Sequence, residues 1–228
     1  MEQTHTLTRR ARLRHRYKTT LSDRHFRRTT LASVLFFVAG VAATSIANVY
    51  AAAHASNPVT DVILSNTRVY NVDDIVVYGA FTFFAFIAML CVLHPKRIPF
   101  IFSSVGLFLF IRAFFMSLTH LGVYPYRTAI DFHSRLALAM FGGGDDFYSG
   151  HTGIPFLMAL LFWDDPLLRN TCIIASAFAG AVVLLGHLHY TIDVASAFFI
   201  TYAIYHLALK FFPKEYALFK RDETTEGI

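Results

Sequence analysis

The chain has 228 residues, of which 55% are hydrophobic and only 15% are charged, and its mean hydropathy is +0.48. It is more apolar than soluble domains of this length usually are. The composition therefore excludes an ordinary soluble globular domain and favours a membrane protein. The formal net charge of +5 owes much to a basic segment at the N-terminus.

Residues 1–28 contain many arginines and few strong hydrophobes. They predict a cytoplasmic tail that lies against anionic lipid. A nucleic-acid-binding arm is disfavoured, because no nucleic-acid-binding module follows it. Small residues near Ala53-His54-Ala55 leave open a cleavable signal peptide. The charged region before the first apolar run is long for a signal peptide, so we expect the first helix to be a retained anchor.

Five apolar runs each have close to the roughly 20 residues that a helix needs to cross a bilayer. They are 31–53, 75–93, 99–119, 171–186 and 192–212. A shorter run, 153–163, is extended by the residues from Phe147 onward and ended by Asp164-Asp165-Pro166. The pattern predicts an all-α integral membrane protein with six transmembrane helices in one catalytic domain (29–213), followed by a cytoplasmic C-terminal tail (214–228).

The positive charges predict how these helices are oriented. If the N-terminus is cytoplasmic, 16 of the 20 lysines and arginines lie on the cytoplasmic side and only Arg68, Arg127 and Arg135 lie on the other, with Arg112 inside a span. The positive-inside rule then places both termini in the cytoplasm. Cys91 and Cys172 fall near cytoplasmic ends of spans, so no disulfide is predicted on the outer face. The two long connections, roughly 54–74 and 120–148, face outward, where length often indicates function.

Two polar motifs border the apolar runs and reach the non-cytoplasmic face in this topology. They are Ser149-Gly150-His151-Thr152 and His189-Tyr190-Thr191-Ile192-Asp193. His189 and Asp193 are four residues apart, which predicts that they share one face of a helical turn. An imidazole whose second nitrogen donates to a carboxylate can attack phosphorus. His151 is then the candidate that protonates the departing alkoxide and deprotonates the acceptor.

Three further residues are candidates for binding phosphate. Ser149 and Gly150 lie just before a predicted helix start, where backbone amides and the helix dipole favour an anion. Arg112 lies in the outer half of the third span, where an arginine costs roughly 2.5 to 3.5 kcal/mol on insertion scales and is a functional candidate. Its planar guanidinium can hold two phosphate oxygens. Alternatively, Arg112 extends to the outer interface or pairs with an aspartate.

The segments 145–152 and 189–193 resemble the two signature segments of the sphingomyelin synthase family, a branch of the type 2 phosphatidic acid phosphatase superfamily. The stretch 112–119 is a looser match to that family's third-helix segment, and the resemblance covers roughly residues 75–210. Two departures favour the synthase-like branch over the phosphatases. Phosphatase members usually carry arginine six residues before the last catalytic histidine, where this chain has Val183, and proline where it has Tyr148.

The resemblance implies a catalytic triad of His151, His189 and Asp193, with a phosphohistidine-type intermediate on the histidine of the last motif. It implies no metal and no cofactor, and it places Asp145 near a cationic head group. The expected activity is the transfer of a phospholipid head-group phosphoester to a lipid alcohol such as ceramide or diacylglycerol. The partners are then a phospholipid donor, the acceptor lipid and the bilayer itself.

Three alternatives remain. A lipid phosphate phosphatase, or a phospholipase C-like hydrolase, would use the same triad with water as the acceptor. A non-enzymatic channel or carrier is disfavoured, because the spans contain one arginine and no series of charges along a pore. A metal site formed by His187, His189, Asp193 and His151 is disfavoured as well, because metal-ligand spacing is otherwise lacking.

Overall fold

A computed structural model describes residues 17–18, 20–118, 120–127 and 147–223. The predicted head-group residue Asp145 lies outside these residues. The described residues form helices and no strand. The helices are α1 (Arg24–His54), α2 (Asp73–Leu93), α3 (Ile98–Leu118), α4 (Gly150–Leu161), α5 (Pro166–Leu185), α6 (Thr191–Phe211) and α7 (Pro213–Glu223), with short 3-10 turns at Leu64–Asn66 and Pro95–Arg97.

The five long apolar runs form five helices that are long and apolar enough to cross a membrane, namely α1, α2, α3, α5 and α6. The shorter run forms α4, which has 12 residues. At 1.5 Å per residue α4 is about 18 Å long, well short of the roughly 30 Å hydrocarbon core. Most of α4 is buried, and its neighbours are mainly α5 and α6. A short helix is tolerated there because the protein, rather than lipid, surrounds its ends.

Polar residues in the sequence mark where the helices begin. The Asp23 side chain caps α1 by accepting from the amide of His25 at 2.8 Å. The Asp165 side chain caps α5 by accepting from the amides of Leu167 and Leu168, each at 3.0 Å, in the manner of favoured N-cap residues. Because α1 begins at Arg24, the last residues of the predicted N-terminal tail already belong to the first helix.

One end of the bundle gathers the connections that carry both motifs, and we call it the histidine end. It holds the residues His54, His120, His151 and His189. Backbone hydrogen bonds join these connections: Ser56 donates to His120 at 2.8 Å and Tyr70 donates to Leu185 at 2.9 Å. Ser149 also donates to the carbonyl of Asp193 at 3.1 Å. The two motifs therefore lie at the same end of the bundle, as the alternation of spans predicts.

The opposite end is covered by α7, which occupies most of the segment predicted only as a tail. The Phe219 side chain of α7 is fully buried, with its ring centroid 5.7 Å from the rings of both Phe100 and Phe162. The guanidinium of Arg97 lies 5.7 Å from the Phe162 and Phe219 centroids. Lys220 pairs with Asp164 in the turn after α4. This aromatic contact fixes α7 against the bundle, which the sequence pattern alone did not indicate.

Gly153 sets how closely α4 approaches its neighbours. A Cβ atom at this position would lie 2.6 and 2.7 Å from ring atoms of Phe108 and 3.0 Å from Oγ1 of Thr201. We expect Gly153→Ala to destabilise the protein by about 1 to 3 kcal/mol, as overpacking does, despite the better helix propensity of alanine. Thermal unfolding in detergent measures this loss. Gly79→Ala in α2 is the matched control, since nothing lies within 4 Å of its added Cβ; equal melting temperatures for the two variants would contradict the prediction.

Candidate active site

The first motif forms the N-terminus of α4. Ser149 is the N-cap residue and is fully buried. Its hydroxyl accepts from the amide of Thr152 at 3.4 Å and from the Thr152 hydroxyl at 3.3 Å. Ser176 of α5 donates to the Thr152 carbonyl at 2.7 Å. The Ser149 side chain therefore shapes the helix start, and any contact of Ser149 with phosphate stays a prediction.

The second motif begins outside the helix, which differs from the helical turn predicted for His189 and Asp193. The helix α6 begins at Thr191 with Tyr190 as its N-cap, so His189 lies in the preceding turn. Asp193 is the third residue of α6, and its Oδ2 accepts from the amide of Tyr190 at 2.9 Å. A carboxylate at the third helical position that accepts from the N-cap amide marks the N-terminal end of the helix. The same Oδ2 still lies 3.6 Å from Nδ1 of His189.

The structure brings the three predicted catalytic side chains together. The ring centroids of His151 and His189 are 6.0 Å apart, and Asp193 lies on the Nδ1 side of His189. His189 is 7% exposed and Asp193 is fully buried, while His151 is half-buried. Since Nδ1 faces the carboxylate, Nε2 is the nitrogen of His189 suited to nucleophilic attack. A separation of 3.6 Å is long for a hydrogen bond, but catalytic contacts often shorten when substrate binds.

Arg112 of α3 lies beside the start of α4. Its side chain is buried, at 7% exposure, so it does not extend to the outer interface. Its Nε donates to the carbonyl of Tyr148 at 2.9 Å, and a Cβ built on Gly150 would lie 3.7 Å from the same Nε. No acidic residue is present in the first turn of α4. A guanidinium beside the positive end of a helix dipole favours an anion at this position.

His187 has a structural role, whereas the alternative considered in the sequence analysis made it a metal ligand. Its Nε2 lies 3.1 Å from Oγ1 of Thr67 and its Nδ1 lies 2.9 Å from the carbonyl of Tyr126. Its φ of 54° is left-handed, and Leu188 donates to the carbonyl of Val183 at 2.9 Å, as in the turns that end helices. His187 thus redirects the chain from α5 towards His189. Within the described ranges, no three histidine, cysteine or acidic residues are grouped to hold a metal ion.

The sequence analysis did not single out the polar residues that connect the loops of the histidine end to the second motif. The hydroxyl of Tyr190 donates to the carbonyl of Gly122 at 2.9 Å and lies 3.2 Å from the amide of Val59. Asp61 accepts from both the amide and the hydroxyl of Thr191. The length of the 54–74 connection was the only signal in the sequence that pointed to this region, because the contacts themselves are long-range.

Residues 142–210 match a family model described as PAP2 superfamily C-terminal. The matched segment includes α4, α5 and nearly all of α6, and with them His151, His189 and Asp193, whereas Arg112 lies outside it. No curated protein and no solved structure was found to match the chain.

The described residues are helical, and their apolar helices together with this match support a multi-pass membrane protein with a segment similar to the PAP2 superfamily. Members of the superfamily are typically phosphatases or other phosphoesterases, so the match supports an enzyme that acts on phosphoesters. It supports the superfamily without selecting the sphingomyelin synthase-like branch.

Proposed function

We propose that the protein is a membrane lipid phosphotransferase that moves a phospholipid head-group phosphoester to a lipid alcohol of the ceramide or diacylglycerol type. The observation that carries the proposal is the position of His189, between Asp193 at 3.6 Å and the ring of His151 at 6.0 Å. A nucleophile, its charge partner and a second imidazole are thus grouped in one site. This grouping suits two successive displacements at phosphorus.

In the first displacement, Nε2 of His189 attacks the phosphorus of the donor lipid. The P–N bond forms as the P–O bond to the lipid alcohol breaks, and protonated His151 gives its proton to the departing alkoxide. The Asp193 carboxylate stabilises the positive charge that develops on the His189 ring. In the second displacement, neutral His151 takes the proton of the acceptor hydroxyl. The acceptor oxygen then attacks phosphorus, the P–N bond breaks, and His189 is restored.

Arg112 and the start of α4 would hold the phosphate oxygens during both displacements. We expect Arg112→Gln to raise the Michaelis constant for the phospholipid donor or to lower the rate, by about 10- to 100-fold in kcat/KM, because charged hydrogen bonds to the anion are lost. Arg112→Lys keeps the charge without the planar guanidinium, and its kcat/KM is expected to lie between those of the wild type and Arg112→Gln. Steady-state kinetics with purified protein measure both variants. Unchanged kinetics with every donor would return Arg112 to a structural role.

The second candidate function is hydrolysis, in which water replaces the lipid alcohol in the second displacement. The family match supports hydrolysis as a second candidate, because members of the superfamily are typically phosphatases or phosphoesterases. The two functions differ in whether water is kept from the phosphohistidine.

A product assay separates the two functions. Purified protein is given a phospholipid labelled in the head group, with no acceptor, with ceramide or with diacylglycerol. A new lipid that carries the labelled head group indicates transfer, whereas free phosphate or a water-soluble phosphorylated head group indicates hydrolysis. An absence of both products from folded protein would contradict the proposed chemistry.

The charge distribution supports a site on the non-cytoplasmic side of the membrane, with both termini in the cytoplasm. The histidine end would then face outward, and α7 would lie at the cytoplasmic surface. Labelling of single cysteines introduced at exposed Asn57 and at exposed Lys214 with a membrane-impermeant reagent tests this orientation. Labelling of position 214 but not position 57 on intact cells would contradict it.

A further inference from the structure

The connection between α1 and α2 reaches across the histidine end to the start of α6, and Asp61 is its point of attachment. The Oδ2 atom of Asp61 accepts from the amide of Thr191 at 2.7 Å, and Oδ1 accepts from the Thr191 hydroxyl at 2.6 Å. Oδ1 also accepts from the amides of Ile63 and Leu64, at 2.8 and 3.0 Å. One carboxylate therefore holds its own loop and the first residue of α6 together.

The position of Thr191 gives this contact its importance. Thr191 is the first residue of α6, where amides have no partner within the helix. It lies two residues after His189 and two before Asp193, so its backbone connects the proposed nucleophile to its charge partner. Asp193 binds the amide of Tyr190 and Asp61 binds the next amide. Two carboxylates thus each accept from one amide that the helix leaves unpaired at this start, where negative charge is favourable.

The loop around Asp61 is itself fixed to the bundle. Leu64 is 2% exposed, and the amide of Val59 lies 3.2 Å from the hydroxyl of buried Tyr190. Burial would raise the pKa of Asp61, but hydrogen bonds from the Thr191 side chain and from nearby amides outweigh it and lower the pKa below its ordinary value. Asp61 therefore stays ionised at neutral pH, which suits a permanent attachment.

We propose that Asp61 is a positioning residue that holds His189 in line for attack by fixing the start of α6. The inference rests on the proposed nucleophilic role of His189. Without Asp61, the turn 189–191 loses both of its hydrogen bonds to the α1–α2 connection through Thr191, so the His189 ring gains freedom relative to Asp193 and His151. A misplacement of about 1 Å in such a group can lower a rate by about 100-fold.

The first test is kinetic. We expect Asp61→Ala to lower kcat by about 10- to 100-fold while the Michaelis constant changes little, since a positioning defect acts on the reacting geometry. Thr191→Val should give part of this loss, and Thr191→Ser should recover it because the hydroxyl returns. The double variant Asp61→Ala/Thr191→Val should be no slower than Asp61→Ala alone. Asp74→Ala, an exposed acid in the first turn of α2, is the matched control and should behave as wild type.

The second test needs no turnover, so it separates this inference from the proposed function. Peptide mass spectrometry follows the rate at which diethyl pyrocarbonate modifies His189, which is 7% exposed in the intact site. We expect faster modification in Asp61→Ala and an unchanged rate in Asp74→Ala. Phe219→Ala, which weakens packing at the opposite end, controls for a general loss of stability.

The outcomes are distinct. Faster modification of His189 in Asp61→Ala alone supports the positioning role, even if no lipid substrate of the wild-type protein is found. Wild-type modification rates in Asp61→Ala would overturn the inference, whatever the activity. Equal acceleration in Phe219→Ala would also overturn it, because the effect would then be general loosening. A wild-type kcat in Asp61→Ala, in protein that does turn over lipid, overturns the inference and leaves the proposed function intact.

Discussion

His189→Ala is expected to abolish turnover of every phospholipid donor while the helices and membrane insertion persist. The reason is that Nε2 of His189 is the proposed nucleophile, since its Nδ1 lies 3.6 Å from Oδ2 of Asp193, whereas the half-buried His151, with its ring centroid 6.0 Å away, has the proposed role of proton transfer. Loss of a covalent nucleophile removes the intermediate itself. The measurement is product formation from a labelled phospholipid by purified protein, alongside acid-labile label retained on the protein.

His206→Ala provides the control for this experiment. His206 lies on the same helix as the second motif, is exposed, and contacts the rings of Tyr202 and Tyr205. The substitution removes an imidazole from α6 outside the candidate site, so the activity should be kept. Full activity in His189→Ala would contradict the proposed mechanism. Label retained on the His189→Ala protein would show that another residue is the nucleophile.

Asp193→Asn is expected to lower kcat by on the order of 10³-fold or more, as the loss of the carboxylate partner of a catalytic histidine does elsewhere. The substitution separates two roles of one side chain. An asparagine oxygen can still accept from the amide of Tyr190, which Asp193 binds at 2.9 Å, so the helix start should survive. The negative charge that stabilises the imidazolium of His189 is lost. Kinetics and thermal unfolding measured on the same preparation test both statements.

Asp165→Asn is the matched control, because Asp165 also caps a helix with its carboxylate, at the start of α5 and away from the histidine end. It should keep its activity. Asp193→Ala removes the cap as well as the charge and should lose about 0.5 to 2 kcal/mol of stability in addition. If Asp193→Asn kept the wild-type rate, or if its melting temperature fell as far as that of Asp193→Ala, the division of roles would be wrong.

Much of the architecture follows from the sequence alone. The five long apolar runs predicted five helices, because apolar runs of that length satisfy their backbone groups best as helices; the observed α1 and α5 begin earlier than their apolar runs, at Arg24 and Pro166. Ser149 was placed just before a predicted helix start, and its side chain caps α4. The alternation of spans placed His151 and His189 at one end of the bundle. These features are local, or they follow from the order of spans along the chain.

The details of the site depended on tertiary contacts. The fourth predicted span is a 12-residue helix that is mostly buried, and Gly153 permits a close packing against Phe108 that hydropathy does not report. His189 precedes α6, because the left-handed turn at His187 is held by partners far along the chain. Asp61 meets Thr191 across 130 positions of sequence.

The sequence by itself therefore indicated the groups that we propose carry the chemistry and determined to which end of the bundle they belong, since residue type and apolar length are local properties. Only the tertiary structure decided how His151, His189, Asp193 and Arg112 approach one another and which loop holds them there. Distances between side chains on separate helices depend on packing and on long-range hydrogen bonds, which no local pattern in the sequence records.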